Sequence, residues 1–159
     1  MATITPVSRL LILVTVSLLF LLGCGGGASE EEFQQDVVDA RDRVDAGLAQ
    51  VTTAGDFEEL LDRLEIAAVE TRKAATDLGN ADSPGSLRDE KRELTDALRA
   101  LSVEIVGTAE TFDTLGPNVP ITRGINFEAW DVVQAELADL RDAGINVRPL
   151  GRHGGSTTG

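Results

Sequence analysis

From Leu87 to Leu115 the chain repeats one spacing without a break: Leu87, Lys91, Leu94, Leu98, Leu101, Ile105, Thr108, Phe112 and Leu115, in steps of four and three. Steps of this kind return to one side of a helix and scatter over both sides of a strand. Only Lys91 and Thr108 interrupt the apolar row. A heptad held over four repeats defines a left-handed helix-packing seam. Some 30 residues at about 1.5 Å each span roughly 45 Å. Such a stripe must be covered by other helices.

The sequence supplies them. Ser29 followed by Glu32 forms a capping-box start, and Phe33, Val37, Ala40, Val44, Leu48 and Val51 follow at helical spacing. Gly47 is a soft spot in that helix, because glycine carries a helix penalty of about 1 kcal/mol against alanine. Asp56 caps a second helix with the row Phe57, Leu61, Leu64, Ala68, Thr71, Ala75 and Leu78, and Gly79-Asn80 stops it. Ser86, with Asp89 and Glu90, begins the long third helix, and Gly116-Pro117 ends it. After a Pro- and Gly-rich loop, Asn126 is placed to cap a fourth helix carrying Phe127, Trp130, Val133, Leu137 and Leu140, which stops near Gly144. Only "GINVRP" alternates, and a lone strand is not a sheet. The expected fold is all-α: an antiparallel bundle of three long helices plus a shorter fourth, joined by short loops. The same heptads also suit a long hairpin that completes its core by dimerising, so an oligomer is possible.

Ahead of the helices, Arg9 precedes thirteen uncharged residues, Leu10 to Leu22, and the only cysteine follows at Cys24. A basic start and an apolar run of this length form a secretory signal, whereas a membrane-spanning helix needs about 20 apolar residues. Leu21-Leu22-Gly23-Cys24 resembles the lipobox of bacterial lipoproteins: aliphatic, variable, small, cysteine. The resemblance implies cleavage between Gly23 and Cys24 and diacylation of the Cys24 thiol. It also implies export, with the domain anchored by lipid on the outer side of the bacterial cell membrane. Two or more acyl chains make a stable anchor, since one alone binds reversibly. The chain then divides into a signal peptide (1–23), a lipidated cysteine with a Gly-rich tether (24–29), the bundle (30–143), and a C-terminal extension ending in a disordered tail (144–159).

Charge narrows the partners. The net charge is −13, and without Arg9 it is −14. From Glu30 to Asp82, 15 acids face 5 bases, whereas from Pro117 onward the numbers are 5 and 4. An acidic surface excludes nucleic acid as a partner and opposes contact with anionic lipid headgroups. Solubility is its plainest role.

No reaction chemistry is evident. His153 is the only histidine, and it lies in the glycine-rich tail where nothing fixes its geometry. There is no zinc ligand set, no D-x-D-x-D-G calcium loop, no Glu-x-x-His pair and no phosphate-binding glycine motif. No cofactor or catalytic residue is assigned. Arg123, Phe127 and Trp130 are the candidate partner-contact corner, with a core role for both aromatics as the competing reading. The basic end, Arg141, Arg148 and Arg152, suits folding back on the acidic first helices or meeting a partner. The expected function is a non-enzymatic envelope lipoprotein whose bundle binds or scaffolds another envelope protein. The alternative is a carrier or sensor of an apolar ligand, with room beside Ala68, Thr71 and Ala75.

Overall fold

The computed structural model describes residues 28–117 and 125–151. The signal segment, Gly23, Cys24, Arg123, Arg152 and His153 lie outside them. Four helices follow in order: α1 Glu30–Val51, α2 Phe57–Asn80, α3 Arg88–Leu115 and α4 Glu128–Asp142, with a 3-10 turn, Gly85–Leu87, before α3. There is no strand among the described residues. The all-α bundle expected from the sequence is the observed fold.

Local signals account for the first two helix starts. Ser29 Oγ accepts from the Glu32 N–H at 3.2 Å, and the Glu32 carboxylate accepts from the Ser29 N–H at 3.0 Å. Donation to it from the Ser29 N–H, and from the Ser29 hydroxyl at 3.1 Å, holds the Glu32 carboxyl below its ordinary range. Three acids in the first turn also face the positive end of the helix dipole. Asp56 accepts from the Glu59 N–H at 2.8 Å. The third start departs from expectation. Ser86 makes no cap; the chain enters α3 through the 3-10 turn, closed by a bond from the Leu87 N–H to the Pro84 carbonyl and pinned by burial of Leu87.

Close helix pairs run in chain order: α1 with α2, α2 with α3, and α3 with α4. Being flanked on two sides widens the buried face of α2. Leu60, Ala67 and Ala74 join Leu64, Ala68, Thr71, Ala75 and Leu78 in the interior, while Phe57 and Leu61 are half-buried. Small residues set the separation. A Cβ added at Gly47 would stand 3.3 Å from the Ala67 Cα, so α1 and α2 meet there almost backbone to backbone.

α3 also packs on two neighbours, and Thr95, Ala97, Ser102 and Ala109 are buried beside Leu94, Leu98, Leu101 and Ile105. The seam fails at its end, where Phe112 is half-buried and Leu115 is 59% exposed. With 28 residues against 24 in α2, the last turn of α3 overhangs its antiparallel partner. The polar members of the row settle at its margins. Lys91 Nζ donates to the Gly79 and Ala81 carbonyls at 3.1 and 2.6 Å, satisfying the C-terminal end of α2. Thr108 Oγ1 donates to the Glu104 carbonyl.

Candidate interaction surfaces

Of the candidate partner-contact corner, Arg123 lies outside the described residues, and the two aromatics differ in exposure. Phe127 is fully buried, so it is a core side chain with no surface to offer a partner. An aromatic at the N-terminal boundary of α4 fits the apolar interior better than water, which is the competing reading of the sequence. Trp130 is half-buried against the same core, and its Nε1 has no hydrogen-bond partner among the described residues.

The start of α4 has an unexpected origin. Its N-cap is Phe127, which has no side-chain oxygen to offer. The Glu104 carboxylate on α3 takes that role, accepting from the Glu128 N–H at 2.7 Å and the Ala129 N–H at 2.8 Å. An anion here satisfies two orphan donors and meets the positive end of the helix dipole. The capping group stands 24 residues upstream of the helix it caps, so no local motif announces it.

The C-terminal extension is the most organised surface feature. α4 ends at Asp142; Gly144, just past the cap, has a φ of +104° that favours glycine, and bonds from the Gly144 and Ile145 N–H groups close the turn on the Arg141 and Leu140 carbonyls. Beyond it, residues 145–151 bury Ile145, Val147 and Leu150 in the main core. Their backbone is held by side chains from α1 and α4. Gln34 Oε1 accepts from the Asn146 N–H at 2.8 Å, Arg41 Nε donates to the Pro149 carbonyl at 3.1 Å, and Asp45 accepts from the Gly151 N–H at 2.5 Å. Gln134 meets both polar groups of Leu150, accepting from its N–H at 2.9 Å and donating to its carbonyl at 3.0 Å.

Geometry explains the match. Gln34, Arg41 and Asp45 are spaced by seven and four, which places them on one flank of α1. Eleven helical residues from 34 to 45 rise about 16.5 Å, and five extended residues from 146 to 151 cover about the same length. The segment therefore runs beside α1, in the same direction, with side-chain holds along its length. Arg148 points outward, 78% exposed, with its guanidinium 3.8 Å from Asp42. At this basic end Arg148 is in reach of the acidic first helix, and Arg152 lies outside the described residues.

Elsewhere the surface is acidic with scattered apolar side chains. Ile66 and Val69 on α2 stand near half exposure beside Asp62, Glu65 and Glu70. Val103 and Val132 are exposed on α3 and α4. Two carboxyls are strained by their settings. Burial pushes the Glu136 carboxyl up, with the charges of Glu93 and Asp139 adding to it. Burial also raises that of Asp36, reinforced by Asp39 and Glu32 and opposed by Lys91. No group of three or more metal-ligating side chains converges among the described residues. No helix there is long and apolar enough to cross a membrane.

Ala68, Thr71 and Ala75, expected either to pack closely or to make room for a ligand, are all buried. The near-contact of α1 and α2 at Gly47 and Ala67 shows small residues on this helix serving close approach. The fold and surface thus define an acidic all-helical bundle braced by its own C-terminal segment. No family model, curated protein or solved structure matches the chain.

Proposed function

We propose that this chain is a non-enzymatic lipoprotein of the bacterial cell envelope, anchored through lipid on Cys24, whose helical bundle binds or scaffolds another envelope protein. One observation carries the reading. The lipobox-like Leu21-Leu22-Gly23-Cys24 closes an apolar signal and stands only five residues before Ser29, the cap of α1. The join between anchor and folded domain is therefore short, about 17 Å when fully extended. A surface this acidic is repelled by anionic headgroups, which favours a bundle standing off the membrane and facing other proteins. The close approach of α1 and α2 favours the scaffold over the carrier of an apolar ligand.

The test is labelling of growing cells with a radioactive or clickable palmitate, followed by membrane fractionation of the natural chain and Cys24→Ala. The natural chain should take up label and sediment with membranes, while the variant takes up none and keeps residues 1–23. Equal labelling of both would refute the anchor. Crosslinking in intact cells, followed by mass spectrometry, then tests the protein partner, and its reproducible absence would leave the scaffold reading without support.

A further inference from the structure

We infer that the groove between α1 and α4 is a binding site for an extended segment of a partner protein, which the chain's own residues 145–151 fill as a releasable strap. The inference rests on the protein-binding reading above and specifies its site and ligand chemistry. The resident segment shows what the groove accepts: apolar side chains at positions one, three and six, here Ile145, Val147 and Leu150, with a cation at position four, here Arg148 near Asp42.

Three features make this a receptor as well as a piece of core. Gln34, Arg41, Asp45 and Gln134 engage only backbone N–H and C=O groups of the segment. Such holds accept any chain of the same apolar spacing, as in other modes of extended-peptide recognition. The strap joins no sheet; its one internal backbone bond runs from the Val147 N–H to the Ile145 carbonyl. Release of the strap breaks no sheet ladder and costs three buried side chains and the side-chain holds on its backbone, so it can open apart from the helices. It is also joined to the bundle at Gly144, where a positive φ lets the chain leave the helix sharply. A second copy is a poorer occupant than a partner, because two chains of net charge −13 repel, with Asp42 and Asp45 beside the groove.

The experiment uses the full chain in detergent and a fluorescent peptide, GINVRPLGR, spanning residues 144–152. In Ile145→Asp/Val147→Asp the strap cannot seat. This variant should keep its helical circular dichroism and bind the peptide saturably. The unaltered chain should bind at least about ten-fold more weakly, because its strap competes at high effective concentration. Adding Arg41→Ala to the double variant should weaken binding about ten-fold, through loss of the hold on the Pro149 carbonyl. A helical double variant that binds no peptide would overturn the proposal. Loss of helicity in the double variant would overturn it too, since a strap required for the fold cannot exchange. So would a dimer of the unaltered chain that the peptide dissociates, which would give the groove to a second copy.

Hydrogen exchange on the unaltered chain supplies a check free of substitutions. The Asn146, Leu150 and Gly151 amides should exchange faster than those of Leu98 and Leu101, and equal rates would count against release. Failure of these tests leaves the anchored scaffold standing, because palmitate labelling and cell crosslinking judge that reading separately.

Discussion

The two ends of this bundle are held by different means. At the α1–α2 end, order is local: Ser29 and Asp56 cap helices three residues away, and small residues bring two backbones together at Gly47 and Ala67. At the α4 end, order is borrowed. Glu104 of α3 starts the helix, and Gln34, Arg41 and Asp45 of α1 hold the strap beyond it. A 15-residue helix is marginal in water, so this difference decides which end can stand by itself. The first region folds by what its own neighbours in sequence provide. The second needs the first already in place.

Substitutions can break that contrast. The largest effect is expected at Phe127→Ala, where removing a fully buried aromatic should cost about 3–5 kcal/mol in a urea titration. A near-neutral result would return Phe127 to the surface. Gly47→Leu should cost about 1–3 kcal/mol through overpacking, because its side chain must displace the Ala67 backbone. Glu104→Ala strips two N–H groups of their acceptor and should cost about 1–2 kcal/mol, with faster amide exchange in the first turn of α4 and little change in α1. Ser29→Ala should cost about 1 kcal/mol, with fraying confined to the start of α1. If Glu104→Ala and Ser29→Ala loosened the same amides, local and borrowed caps would not differ.

The smallest effect has the opposite sign. The Glu136 carboxyl is raised by burial and by its acidic neighbours, so the folded state binds its proton more readily than the unfolded chain. The fold is therefore penalised by this group at neutral pH and relieved as pH falls through the carboxylate range. Glu136→Gln should raise the melting temperature slightly at pH 7. The gain should fade as pH falls through the raised range of the folded carboxyl and be gone once pH is below the ordinary glutamate value of about 4.3. A gain independent of pH would locate the strain in shape instead of charge.

Sequence reading succeeded where cause and effect are close along the chain. The four helices, the capping box at Ser29 and the stop at Gly144 follow from spacings of three and four residues. Periodicity also identified most of the core, but it assigned each helix a single face. α2 and α3 each touch two neighbours, which brings in Leu60, Ala67, Ala74 and Ala97, while the overhang of α3 leaves Leu115 outside. Caps supplied from afar carry no local mark: Lys91 interrupts a heptad and closes α2, while Glu104 stands in no motif and starts α4. The strap was half-legible. Its apolar positions stood out, and Gln34, Arg41 and Asp45 already shared a flank of α1, but nothing in one dimension pairs that flank with residues 146–151. Phe127 shows a related difficulty, since aromatics at a helix start read alike whether they face water or core.

Glu104 also sets an order in time. Because the acceptor for α4's first two N–H groups sits on α3, the nucleus of α4 has no stable form until α3 exists and Glu104 is presented beside it. Folding should therefore proceed from the N-terminal helices toward the C-terminus, with the strap seating last of all. Measured as φ-values, substitutions in the α2–α3 interface should slow folding, while those in α4 and the strap should mainly speed unfolding. The terminal segment would then act as a kinetic latch, closing a bundle whose barrier has already been crossed.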